Sequence, residues 1–163
     1  MSFFSLRYLK TNSGKKGEGM PVFRNPQYYF KEGFCWSNVL TTYIKCRKKQ
    51  KTIHSTESMS FFSVSDYIPE YYIICIMNSH FIAYYIDSFV NSTSHCTTGD
   101  AKLIPIIIPT KYQLNQFESL FNSAYMIKQA EYSNQLSIDK AEIQLTQLQE
   151  KIDNLVNKLY NLI

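Results

Sequence analysis

From residue 112 to the C-terminus the chain contains neither glycine nor proline. Within this stretch Ile138, Ala141, Leu145, Leu148, Ile152, Leu155, Leu159 and Leu162 recur at alternating spacings of three and four. A strand would send residues so spaced to both faces, whereas a helix gathers them on one. The pattern is an a/d heptad seam of about four heptads, which predicts a helix of roughly 37 Å at about 1.5 Å per residue. Carried backward, the seam runs through Phe117, Leu120, Ala124 and Ile127, then meets two polar residues, Glu131 and Asn134. Those two predict a break between 132 and 137. One helix of about five turns then packs on a globular part, and a second projects as a coiled-coil strand. A lone stripe of this kind strands its leucines in water, so it needs a partner, whether its own globular part, a second copy or a different chain, and the strict period favours a helical one. Ile138, Leu145, Leu148, Ile152, Leu155, Leu159 and Leu162 are therefore the candidate oligomerisation or docking residues.

Upstream, the chain divides at about residue 111. Gly14, Gly17 and Gly19 mark a loop near the N-terminus. Short strands are predicted at Phe34 to Trp36 and at Ser60 to Val64. Glu70 to Asn78 reads as a buried helix, although its apolar run from Tyr71 to Met77 also fits a strand, and His80 to Ser88 reads as a second short helix. Ile104 to Pro109 is β-branched but bracketed by prolines, which fits an edge strand or an extended wall segment. The expectation is an α+β chain: a small mixed-sheet domain over 1–111, then a helical region over 112–163.

Charge is unevenly spread. Residues 1–51 hold eleven Lys and Arg against Glu18 and Glu32, a balance of +9, while the remainder carries −5. A segment so basic points to a polyanion. Its densest part is Lys45-Cys46-Arg47-Lys48-Lys49-Gln50-Lys51, five cations in seven residues. Ammonium and guanidinium groups displace counterions from phosphates, and Arg47 can also pair bidentately with guanine. Lys15 and Lys16 extend the set. Asn91, Ser92 and Thr93 offer short side chains that donate and accept, suited to phosphates or base edges.

Chemistry of other kinds finds little support. Cys35, Cys46, Cys75 and Cys96 form no CxxC pair, and His54, His80 and His95 are scattered, so neither zinc nor a disulfide framework is expected. There is no nucleotide-binding glycine loop, no HExxH and no nucleophile elbow. We expect no catalytic residue, no metal and no cofactor, hence a non-enzyme. The most apolar stretch, Ile68 to Phe89, is interrupted by Glu70, Asn78, His80 and Asp87, and the N-terminus lacks a signal-peptide core. A cytoplasmic protein without membrane contact is expected.

Tyr28-Tyr29-Phe30-Lys31-Glu32-Gly33-Phe34-Cys35-Trp36-Ser37 resembles an aromatic-Gly-x-x-Trp-Ser run of DNA target-recognition domains. The segments downstream keep a similar order too: Arg47, a Phe-rich strand from Met59 to Val64, a helix ending in Asn78-Ser79, Asn91-Ser92-Thr93, and Gly99-Asp100 leading to Leu103 through Pro109. Over about 25–130 the chain thus resembles the specificity region of type IIG restriction-methyltransferases and of BREX-type phage-defence adenine methyltransferases, and half of a type I specificity subunit. The resemblance implies a recognition module that binds double-stranded DNA and docks a methyltransferase subunit, or a second copy of itself, through its last helix. It departs from those enzymes in lacking their methyltransferase domain and its (Asn/Asp/Ser)-Pro-Pro-(Tyr/Phe) tetrapeptide, which Asn25-Pro26-Gln27-Tyr28 breaks at the third position. A different reading makes the chain an interaction protein, a degenerate recognition domain whose coiled coil recruits or inhibits a partner without touching DNA.

Overall fold

The structure, a computed structural model, describes residues 25–39, 43–54, 57–63 and 65–162. It is α+β. Three short strands, β1 (Gly33–Ser37), β2 (Arg47–Lys49) and β3 (Ser58–Phe61), form an antiparallel sheet in the order β2-β1-β3. The expected strand at Ser60 to Val64 thus begins and ends earlier, and Val64 lies outside the described residues. The register pairs Cys35 with Arg47 on one side of β1 and with Ser60 on the other. Side chains alternate across such a ladder, so Phe34, Trp36, Met59 and Phe61 share one face. Phe61 meets Phe34 and Trp36 edge-on, at ring distances of 5.9 and 5.1 Å. Gly33 is required where β1 passes β3, because a Cβ there would lie 2.5 Å from the Phe61 carbonyl oxygen.

Against that aromatic face packs α1 (Glu70–Met77), followed by α2 (His80–Tyr85) and a π-helical turn, Ile86–Val90. The ambiguous apolar run 71–77 is therefore helical. Pro69 supplies a start that costs no backbone donor, and Tyr72, Cys75 and Ile76 are buried. The Ser79 hydroxyl caps α2 by accepting from the Ile82 amide. A single turn, α3 (Thr98–Ala101), opens with a reciprocal capping box between Thr97 and Asp100. The proline-bracketed segment joins no sheet. It has no regular secondary structure, and its Ile107 carbonyl accepts from the Tyr72 hydroxyl and its Pro105 carbonyl from the Tyr160 hydroxyl.

Two long helices close the chain, α4 (Lys111–Tyr132) and α5 (Ile138–Leu159). Thr110 and Gln113 cap α4 reciprocally. The break falls where the polar seam positions predict it, and Asn134 takes a left-handed conformation there, φ 57°. The five-residue turn reverses the chain, so the start of α4 lies beside the end of α5, with Tyr112 and Leu120 flanking Leu155.

The expected projection of the last helix as a free coiled-coil strand does not hold. Its seam faces inward: Ala141, Ile152 and Leu159 are buried, and Leu145, Leu148 and Leu155 half-buried, while only the ends, Ile138 and Leu162, stand exposed. Ile152, Val156 and Leu159 join Phe34, Trp36, Tyr72 and Phe117 in one hydrophobic cluster. The physical reason is local: α4 offers an apolar surface within one turn of the chain, whereas an external partner must first be captured. No single helix among the described residues is long and apolar enough to cross a membrane.

Candidate nucleic-acid interface

The cationic run becomes the edge strand β2 and its two flanks. Its start is pinned by Asn78, whose side-chain oxygen accepts from the Cys46 amide at 2.7 Å and whose NH₂ donates to the Cys46 carbonyl at 2.8 Å. Asn78 thereby acts as one rung of a ladder that the short strand lacks. The clamp is held from behind by α5, where Gln149 donates to the Asn78 carbonyl at 3.1 Å. Asp153, one turn further along α5, accepts from the His80 amide at 2.9 Å and meets His80 Nδ1 at 2.6 Å.

The five cations of the run have different fates. Lys45, Arg47, Lys48 and Lys51 are exposed. The Lys45 ammonium lies 5.5 Å from the Tyr43 ring centre and that of Lys48 lies 5.9 Å from Tyr125. Lys49 is turned inward, 3 % exposed, with its ammonium donating to the Lys31 carbonyl and resting 5.3 Å from the Phe62 ring. Lys49 shares its face of β2 with the exposed Arg47, so it is the chain at Lys31 and Phe62 that covers it, and its expected place on a phosphate-contacting surface is not what the structure gives it. Lys15 and Lys16 lie outside the described residues.

Behind Arg47 and Lys49 sits His54. Its Nδ1 lies 3.0 Å from both Ser58 Oγ and Ser60 Oγ, and its Nε2 3.1 Å from Thr52 Oγ1. Burial first, then the charges of Lys49 and Arg47, hold the imidazole below its ordinary pKa. Nothing in the spacing of the sequence singled out His54; only the fold of 50–54 over β3 brings it there.

Asn91, Ser92 and Thr93 occupy a loop whose far end docks beside β1, where the Cys96 amide donates to the Asn38 carbonyl at 2.8 Å. Asn38 follows the end of β1, away from Gly33 to Cys35, the residues β2 pairs with. Asn91 is spent on the loop itself: its oxygen accepts from the Thr93 amide at 2.9 Å and its NH₂ donates to His95 O and Asp100 Oδ2, each at 3.3 Å. Asp100 accepts from the Thr97 amide at 2.7 Å as well, and these bonds hold its carboxyl below the usual range. Ser92 and Thr93 are exposed.

Trp36 and the cysteines belong to the core. The Trp36 indole donates to the Cys96 carbonyl at 2.9 Å in a fully buried bond. Burial pushes the thiols of Cys75 and Cys96 up to about 12 and about 11, and raises those of Cys35 and Cys46 too. Thiols so placed are protonated at neutral pH and poor nucleophiles. Among the described residues, no three His, Cys, Asp or Glu side chains converge as metal ligands would.

Fold and site together define a small α+β domain with a positively charged sheet edge, braced by a C-terminal helical hairpin. No family model matches the chain. Over 112 residues it is 32% identical to the adenine-specific methyltransferase BrxX of Escherichia coli O9:H4 (strain HS), a match that covers 68% of this chain and 9% of that protein. The chain therefore spans less than a tenth of the relative's length, and what it shares with that protein is one segment of a methyltransferase.

Proposed function

We propose that the chain is a sequence-specific DNA-recognition module that serves an adenine methyltransferase and has no catalytic centre of its own. The observation that carries this reading is the presentation of Lys45, Arg47, Lys48 and Lys51 on one clamped sheet edge, in a chain related to part of an adenine-specific methyltransferase. The clamp fixes the backbone that carries these cations, so only their side chains remain to be ordered on meeting phosphates. Ser92 and Thr93 supply polar groups for base or backbone contact, while Asn91 shapes their loop. The partner in this reading is a methyltransferase polypeptide. The exposed ends of the α5 seam, Ile138 and Leu162, are what remains for docking it, or a second copy, once the middle of the seam is packed.

The test is duplex binding by the full chain across a salt series. Expected is an affinity that falls linearly on a log–log plot, with a slope of about 0.9 per phosphate neutralised. Charge reversal at Lys45, Arg47 and Lys48 together should weaken binding to every sequence alike. Binding indifferent to salt and to those reversals overturns the reading and favours a protein-only interaction role.

A further inference from the structure

We infer that the chain also carries a stacking track for unpaired nucleobases, which begins at Lys45 on the phosphate-facing edge, at the flank of β2, and runs away from it. Its members are Lys45, Tyr43, His80, Tyr84 and Phe89. The Lys45 ammonium sits 5.5 Å from the Tyr43 ring centre, and Tyr43 lies 6.4 Å from the His80 ring. His80 and Tyr84 are four residues apart on α2 and share a helix face. Tyr84 in turn stands 6.4 Å from Phe89.

These rings are open to solvent: Tyr43 is 43 % exposed, Tyr84 65 % and Phe89 71 %. Burying large aromatics is among the strongest gains a fold can make, so rings left outside in this number mark a surface with a use. They are also braced. Phe89 rests 5.5 Å from Tyr85, and Tyr85 stands 6.3 Å from Phe81, which packs 4.8 Å from Tyr160. The π-helical turn makes the arrangement, because its extra residue carries Phe89 round toward Tyr84.

Charge selects the occupant. The track starts at the cationic run and ends at rings, the order in which single-stranded nucleic acid is held, with backbone on cations and bases on π-faces. Asp153 is engaged by His80, and Asp87, exposed on the π-helical turn, repels phosphates, so at that end bases rather than backbone meet the rings. The ligand class is a single strand or an extruded, unpaired base. The inference rests on the DNA-recognition reading but adds a second mode of contact to it.

The test compares a thymidine oligonucleotide with a blunt duplex of equal length, each titrated against the full chain and two double variants. One variant combines Tyr84→Ala with Phe89→Ala; the other combines Tyr84→Leu with Phe89→Leu, which keeps apolar surface but removes the rings. Expected is a single-strand affinity reduced about tenfold or more in both variants, with duplex affinity changed less than about twofold and unchanged melting. Duplex binding that persists while ring removal leaves single-strand affinity intact overturns the track but not the recognition module. Full affinity in the leucine variant identifies apolar protein docking and overturns it as well. Equal losses for both oligonucleotides make the rings part of the duplex interface, against the inference. Absence of binding to either oligonucleotide overturns both proposals.

Discussion

Asn78 and Cys46, 32 residues apart, exchange two hydrogen bonds between one side-chain amide and one peptide unit. The cationic edge strand is thereby fastened to the end of α1. Leaving a buried donor and acceptor unpaired costs about 1–3 kcal/mol each, so Asn78→Ala should lower unfolding free energy by about 2–4 kcal/mol. Chemical denaturation measures this. Asn78→Asp should rescue little, since a carboxylate can accept from the Cys46 amide but cannot donate to its carbonyl.

Lys48 and Lys49 are neighbours with opposite surroundings, one exposed and one buried. Lys48→Met should reduce the salt slope of duplex binding by about 1 and leave stability unchanged. Lys49→Met should leave the slope as it is and shift the denaturation midpoint. The two slopes and two midpoints together check the assignment.

Gly33→Ala brings a methyl group to 2.5 Å from the Phe61 carbonyl and 2.8 Å from the Phe62 ring. Backbone atoms cannot swing aside as a side-chain end does, so β1 and β3 must part. A loss of about 1–3 kcal/mol is expected, read by thermal or chemical unfolding.

Along α5, Val156 is fully buried whereas Ile138 and Ile143 are 70 % and 60 % exposed. Val156→Asp should cost at least about 4 kcal/mol and abolish cooperative unfolding, while Ile138→Asp and Ile143→Asp should change stability by less than about 0.5 kcal/mol. Sedimentation of the same variants tests whether the exposed end of the helix mediates self-association.

His54 titrates below its ordinary value of 6.5 in the folded chain. The unfolded state therefore binds the proton first, and stability from this group is complete above 6.5 and declines as pH falls from there through the folded pKa. Melting curves at descending pH should show this decline in the wild type. His54→Gln should remove that component and leave the loss from Asp100, which sets in only at lower pH, since its carboxyl is held below its usual value of 3.8.

The C-terminal helical region was legible in the sequence because its causes are local. Absence of glycine and proline, a period of three and four, and Glu131 and Asn134 at the break all act within a turn or two of themselves. β1 and the basic character of residues 45–51 were legible for the same reason. What tertiary structure decided is direction. The seam's leucines satisfy an external helix and an internal one equally well by pattern, and the hairpin turn chose the internal one. Lys49 is buried while Arg47, on the same face of β2, is exposed, because Lys31 and Phe62 cover only one end of that face, which no local rule specifies. Asn91 was open to a base edge in the sequence and is committed to His95 and Asp100 in the fold. Contacts such as Trp36 to Cys96, 60 residues apart, or Asn78 to Cys46 depend on which surfaces meet when the core closes. That choice is settled by the summed burial of the whole chain, which no single segment encodes.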